Sequence, residues 1–397
     1  MKLRGQFIVV TLAKFGVAGL NVLFVYLVSR RLTAVEAGVF FTQFSAVMLV
    51  AAFCGLGAGV VGYSVVSPAM NAGTPHARPY SALLTLGLAG IAAAAFLYGL
   101  AVALGWLAPV NPAGTGVFLV GAAVTLLMAD LNRSAGDVTW SILLQGAAPM
   151  AVMLAALLAL DIRSAEKLFG CAAVSFAVAA LSMVWLGRGS MTRVSRGDVA
   201  ARVPAALRAA PLPAVSNMQV HAEIVLASQF LGPAALGVFV LANRCATLVR
   251  MPALIAFRVF APSMDDRLAA SLAFKGGDRS IPLRMFGSGV LLLALGLPVL
   301  LLAERFGLVT LPPGFFAFFA VCVGIKVLGL LPGSPESVLV AHGRFGAIYA
   351  ATLATLAAVV AGCLALDATH WNRDLAVAGL VSSWFVLQRL VMLWTTR

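Results

Sequence analysis

Twelve stretches of mainly apolar residues follow one another along this chain, at roughly 7–29, 39–61, 81–104, 115–132, 139–160, 167–187, 209–230, 236–260, 284–303, 313–331, 345–366 and 374–395. A helix that crosses a bilayer needs ~20 such residues, because a rise of ~1.5 Å per residue has to span a hydrocarbon core of ~30 Å. With 62% hydrophobic and only 10% charged residues among 397, the sequence is incompatible with a soluble domain. A β-barrel would need short alternating segments, and none occur. The expected fold class is therefore an all-α polytopic membrane protein with about twelve transmembrane helices. The start, MKLRGQ before an apolar run, has the look of a signal peptide. That run continues to Ser29 and holds Lys14, so it reads as a retained first helix.

A net charge of +13 would point to nucleic acid in a soluble protein; here its distribution matters more. With the N-terminus inside, fifteen of the 27 Lys and Arg fall in cytoplasmic loops and ends, six on the opposite side and six within the helices. Basic residues stay in the cytoplasm, so both termini are expected there. The one break in composition is GRGSMTRVSRGDVAARVPAALR, Gly187–Arg208, where five arginines stand against Asp198. It divides the chain into a six-helix lobe at 1–187, a basic linker at 188–208 and a second six-helix lobe at 209–397. The linker reads as a basic tether, with an amphipathic segment against anionic headgroups as the alternative.

The two halves repeat one another. SRRLTAVEAGVF at Ser29–Phe40 aligns without a gap on SQFLGPAALGVF at Ser228–Phe239, matching at Ser29/Ser228, Leu32/Leu231, Gly38/Gly237, Val39/Val238 and Phe40/Phe239. The offset is half the chain length, and a fixed long period is how duplicated architectures show themselves.

Polar residues inside the apolar runs are the candidate site, because ionisable groups at membrane depth are costly. Lys14 and Asn21 are seven apart on helix 1, stacked on one face as a polar stripe or an interhelical contact. Helix 7 carries Ser216, Asn217, Gln219, His221 and Glu223, the last being the one acid near the middle of any run. Glu223 and Arg244 are equally far from the turn joining helices 7 and 8, which predicts an ion pair, structural or coupled to a substrate. On an unbroken helix 8, Arg244, Arg250 and Arg258 share an arc of about 120°. Arg258 can snorkel to headgroups, whereas Arg250 is expected to face water and await an anion. Lys326 adds a base on helix 10. Asp130, Arg133 and Asp137 read as an interfacial charge cluster. The five cysteines read as packing residues, and the four histidines make no metal cluster. Walker, GxSxG, HExxH and EF-hand patterns are missing, so no enzyme, cofactor or metal site is expected.

Two six-helix halves with these turns resemble the multidrug/oligosaccharidyl-lipid/polysaccharide exporter superfamily. Within it the chain is most similar to the O-antigen and exopolysaccharide flippases. The resemblance rests on YLVSRRLTAVEAGVFF and LASQFLGPAALGVFVLANR, and on the turns DLNRSAGD and AHGRFGAI before helices 5 and 11. It implies two lobes around a central cavity and alternating access in a bacterial inner membrane. The implied substrate is a polyprenyl-diphosphate-linked oligosaccharide for lipopolysaccharide or other surface glycans. Membrane lipids, a glycan polymerase and glycosyltransferases are the implied partners, and nucleic acid is not. A cationic lumen for the diphosphate would draw on Lys14, Asn21, Arg244, Arg250, Arg258 and Lys326, with Glu223 and His221 as a coupling or ion-pair site. Two other readings remain open. A multidrug or cation antiporter of the same superfamily should carry several intramembrane acids. A non-transport enzyme or scaffold of glycan assembly would, if an enzyme, need a catalytic cluster that the sequence lacks.

Overall fold

The computed structural model describes residues 2–251, 280–332, 335, 339, 344–367 and 373–395, and among them all regular structure is helical. The chain divides into two compact units, Met1–Val225 and Leu226–Arg397. The first unit thus runs past the linker at 188–208 and takes in most of helix 7.

In the first unit, α1 (Lys2–Arg31) turns through Leu32 and Thr33 into α2 (Ala34–Cys54). Thr33 caps α2 by accepting from the Glu36 amide at 3.3 Å. The second apolar run is not one helix. Leu56 and Gly57 take positive φ, +50° and +70°, and break it before α3 (Ala58–Asn71). Only a residue without a side chain fits at Gly57, because a Cβ there would lie 2.5 Å from the Ala209 and Ala210 backbone.

Next come α4 (Ala77–Ala103) and α5 (Pro112–Ser134), the latter capped by Asn111, which accepts from the Gly114 amide at 2.8 Å. The fifth span is α6 (Val138–Ile142), a π-helical turn at Leu143–Ala147 and α7 (Ala148–Ala159). Pro149 explains the wide turn: its ring displaces the carbonyl four residues earlier, at Gln145, and offers it no N–H. The turn lays Gly146 against α1, where a Cβ would come within 2.6 Å of Val17. The sixth span is α8 (Ala165–Gly187).

An aromatic core joins α2, α5 and α8. Phe44 stacks on Phe118 at 4.9 Å, Phe118 meets Phe176 at 4.9 Å, and Phe40 meets Phe169 at 5.1 Å. Rings of this size bury the most apolar area per residue and gain from such tilted geometries.

Two polar anchors close the unit. At one end the Tyr80 hydroxyl donates to Asn132 Oδ1 at 2.5 Å, and Asn132 Nδ2 donates to the Met183 carbonyl at 3.0 Å. Close by on α5, Arg133 pairs with Asp130 at 2.6 Å, two of the three residues of the expected charge cluster. At the other end Glu36 accepts from the Ala165 amide at 2.6 Å and satisfies the first turn of α8. After α8, a 3-10 turn (Arg188–Ser190), α9 (Arg196–Ala200) and α10 (Val203–Ala209) make up the linker. Then α11 (Pro211–Ala227) begins the seventh span.

In the second unit, α12 (Pro233–Thr247) tightens into a 3-10 turn at Leu248–Arg250. This turn interrupts the expected helix over 236–260; Met251 is helical again, and residues 252–260, Arg258 among them, lie outside the described residues. The unit continues with α13 (Ser280–Arg305), α14 (Phe315–Leu328), α15 (Phe345–Asp367) and α16 (Arg373–Thr395). Pairing α15 with α16, Gln388 donates to Thr352 at 2.7 Å and the Trp384 indole to Thr355 at 3.1 Å. In an apolar surround such side-chain bonds satisfy groups that have no water to turn to.

The sequence repeat is one local structure built twice. Leu32 and Leu231 are 6% and 5% exposed, and Phe40 and Phe239 are both fully buried. Each motif starts its second helix at the matching place, Ala34 and Pro233, while α1 runs on to Arg31 and α11 ends at Ala227.

Candidate functional site

In the first unit, Lys14 and Asn21 are half-buried on α1 and flank Val17, the residue that abuts the π turn at Gly146. Their seven-residue spacing places all three on the side of α1 that packs against the fifth span. On α11, His221 and Glu223 are buried, and the His221 ring centroid is 6.3 Å from that of Phe44. The side chains of Ser216, Asn217 and Gln219 lie outside the described ones.

In the second unit, two arginines share one ring. Arg250 lies over Phe385 with its guanidinium carbon 3.4 Å from the ring centroid, and Arg389 lies 4.2 Å from the same centroid. Arg389 also donates from Nη1 to the Gly329 carbonyl at 3.1 Å. Gly329 has to be glycine here, because a Cβ would come within 2.8 Å of Phe385. Lys326, fully buried, sits one turn before Gly329 on α14. Arg244 is half-buried on α12.

Arg250 differs from its expected setting. It is 2% exposed rather than water-facing. The negative face of an aromatic ring attracts a guanidinium most strongly when water is excluded, which accounts for so deep a placement. Glu223 belongs to the first unit and Arg244 to the second.

Sequence reasoning missed Phe385 and Arg389 as members of this cluster. Their signal was present: an aromatic and an arginine four residues apart share one face of a helix. Glu36 was hidden by its position three residues after Thr33, where a Glu normally serves the local cap. Among the described residues, no group of three His, Cys, Asp or Glu could hold a metal ion. The cluster is cationic, and guanidinium and ammonium groups make the stronger, charge-assisted hydrogen bonds.

The sequence matches no family model and no curated protein. The structure matches solved ones over nearly its whole length. An inward-facing multidrug-resistance MATE transporter of the MOP superfamily aligns with TM-score 0.60 and 14% identity, over 97% of this chain and 94% of the other. The MATE multidrug transporter DinF-BH, solved as a ligand complex, aligns with TM-score 0.67 and 16% identity, over 100% and 95%. The fold is that of the MATE transporters. An outward-facing member of the same superfamily aligns with TM-score 0.58 and 14% identity, over 98% and 94%. Those transporters carry twelve transmembrane helices in two lobes. Nine helices of the present chain are long and apolar enough to cross a membrane, counted among the described residues, and a shorter apolar helix, Phe315–Leu328, falls on the tenth run. With this fold and these helices, the chain is a multi-pass membrane protein.

Proposed function

We propose that the chain is a flippase, not an enzyme, that moves a lipid-diphosphate-linked oligosaccharide from the cytoplasmic to the outer leaflet by alternating access. Surface polysaccharide biosynthesis is the process it would serve, in a bacterial inner membrane with both termini cytoplasmic. The observation that carries this reading is the sign of the charge within the helices. Among the described residues more than one turn inside the apolar runs, Lys14, Arg244, Arg250, Lys326 and Arg389 stand against Glu223. A carrier of cations would reverse that ratio. A diphosphate offers several anionic oxygens, which arginine meets with its planar fork and lysine as a point charge. In this reading Lys14, Asn21, Arg244, Arg250, Arg258 and Lys326 engage the substrate, and Glu223 with His221 takes the coupling or ion-pair role.

A second reading, a multidrug antiporter, is favoured by the neighbours themselves, which are multidrug transporters. The two separate in proteoliposomes holding the full chain. A fluorescent polyprenyl-diphosphate oligosaccharide should cross to the leaflet where an impermeant reagent reaches it, and a cationic dye should not move. Lys326→Met should slow the flipping by roughly tenfold or more, since a charged hydrogen bond contributes ~1.5–3 kcal/mol and each ~1.4 kcal/mol is tenfold. Dye movement without glycolipid movement would replace this proposal with the antiporter.

A further inference from the structure

The transport reading makes no use of the linker at 188–208, and the structure shows that it is no loose tether. The Thr192 amide donates to Ser81 Oγ on α4 at 2.7 Å, Ser190 Oγ lies 3.5 Å from His76 Nε2, and Ala206 and Ala209 are buried where α10 meets the Gly57 break. The segment is fixed on the first unit, and so are the charges it carries.

Those charges are one-sided. Arg188, Arg193, Arg196 and Arg208 are exposed, as is Arg78 at the start of α4, while Arg202 is half-buried. The segment's one acid is already engaged. Asp198 accepts from the Ser195 amide at 3.0 Å and the Ser195 hydroxyl at 2.8 Å. These bonds hold its carboxyl below the ordinary value, with Arg78 and Arg202 adding to the effect.

Beside the charges lies a trough of about 420 Å³ between α4 and α9. Val194, Val199 and Val203 form its walls, Thr85 comes from α4, and Arg196 stands among them. At the end of α8, Trp185 is 66% exposed, and the Arg188 guanidinium lies 3.4 Å from its ring centroid. An exposed Trp on the last turn of a membrane span marks the level of the headgroups. What meets this surface therefore comes from the bilayer. It has to offer negative charge to Arg188 and Arg196 and apolar chain to the valines.

We infer that residues 188–208, with Trp185 and the start of α4, form a binding site for an anionic phospholipid. Its phosphate would sit between Arg188 and Arg196, and its glycerol and first methylenes in the valine-lined trough. A nucleic acid would answer the charge and leave the trough empty.

The test is native mass spectrometry of the full chain, released from neutral detergent and titrated with phosphatidylglycerol or with phosphatidylcholine of the same chains. Phosphatidylglycerol should be held roughly tenfold or more tightly, given the attraction of clustered arginines for anionic headgroups. R188Q/R196Q should abolish that preference, and Val199→Glu should weaken it by placing a carboxylate in the trough. R30Q/R31Q, two exposed arginines at the far end of α1, should leave it unchanged. Three results would overturn the site: no preference in the natural protein, an equal loss in R30Q/R31Q, or tighter binding of a short RNA than of phosphatidylglycerol through the same arginines. Should R188Q/R196Q aggregate, full preference in Val199→Glu would be enough to overturn it. Glycolipid flipping by R188Q/R196Q is a separate readout, so the lipid site and the transport reading can fail independently.

Discussion

Replacing Phe385 by Leu removes the ring on which two buried guanidiniums rest and leaves a side chain of similar hydrophobic character. The loss can be worked out from the geometry. Arg250 and Arg389 lie 3.4 and 4.2 Å from the ring centroid and are 2% and 4% exposed. With so little water present, each contact belongs near the upper end of the cation–π range, about 1–2 kcal/mol. Lost packing against Gly329 adds roughly 1 kcal/mol. The total is about 3–5 kcal/mol, and for a unit of this size each kcal/mol moves the melting temperature by ~2–4 °C. Phe385→Leu should therefore melt about 6–20 °C below the natural protein, as followed by near-UV circular dichroism in detergent. A double-mutant cycle isolates the ring. Arg250→Met should cost ~1–2 kcal/mol less when Phe385 is already Leu than when it is Phe. If Phe385→Leu melts within about 2 °C of the natural protein, or Arg250→Met costs the same on both backgrounds, the ring does not hold the arginine and this account of its depth is wrong.

Gly187→Ala places a methyl against the Tyr80 hydroxyl and 2.5 Å from Asn132 Oδ1. It should cost about 1–3 kcal/mol by breaking that buried bond. Tyr80→Phe should recover part of the loss; no recovery in a thermal melt would mean that the clash lies elsewhere. From the bias of fifteen basic residues against six, reporter fusions after Arg202 and Arg397 should read cytoplasm and one at Pro312 the opposite side. An external signal at Arg397 would overturn the count of twelve spans.

Across the described residues the twelve apolar runs fall on helix, because length and apolarity alone decide what a bilayer accepts. The repeat was equally legible: Leu32 and Leu231, or Phe40 and Phe239, occupy matching places because each turn must bury the same pair. Departures from regular helix were harder to see. Pro149 signals a disturbance, but only the contact of Gly146 with Val17 shows how it resolves into a π turn. The break at Leu56 and Gly57 depends on α10 arriving from some 150 residues later. The cluster around Phe385 was least legible, since a helical wheel places Arg250 by angle and its real position follows from a 3-10 turn and a ring on another helix. In the sequence, Arg250 and Arg258 form one arc; in the structure, Arg250 belongs with Arg389.

The bond from Glu36 to the Ala165 amide also sets a timetable. The two residues are 129 positions apart. At a synthesis rate of ~5–20 residues per second, about 6–26 s pass between the appearance of the first and the second. Throughout that interval α2 has to keep its place in the bilayer by its own apolarity, with its N-terminal end untied. The clasp closes only when the sixth span arrives, so α2 is locked in place by a part delivered long after it.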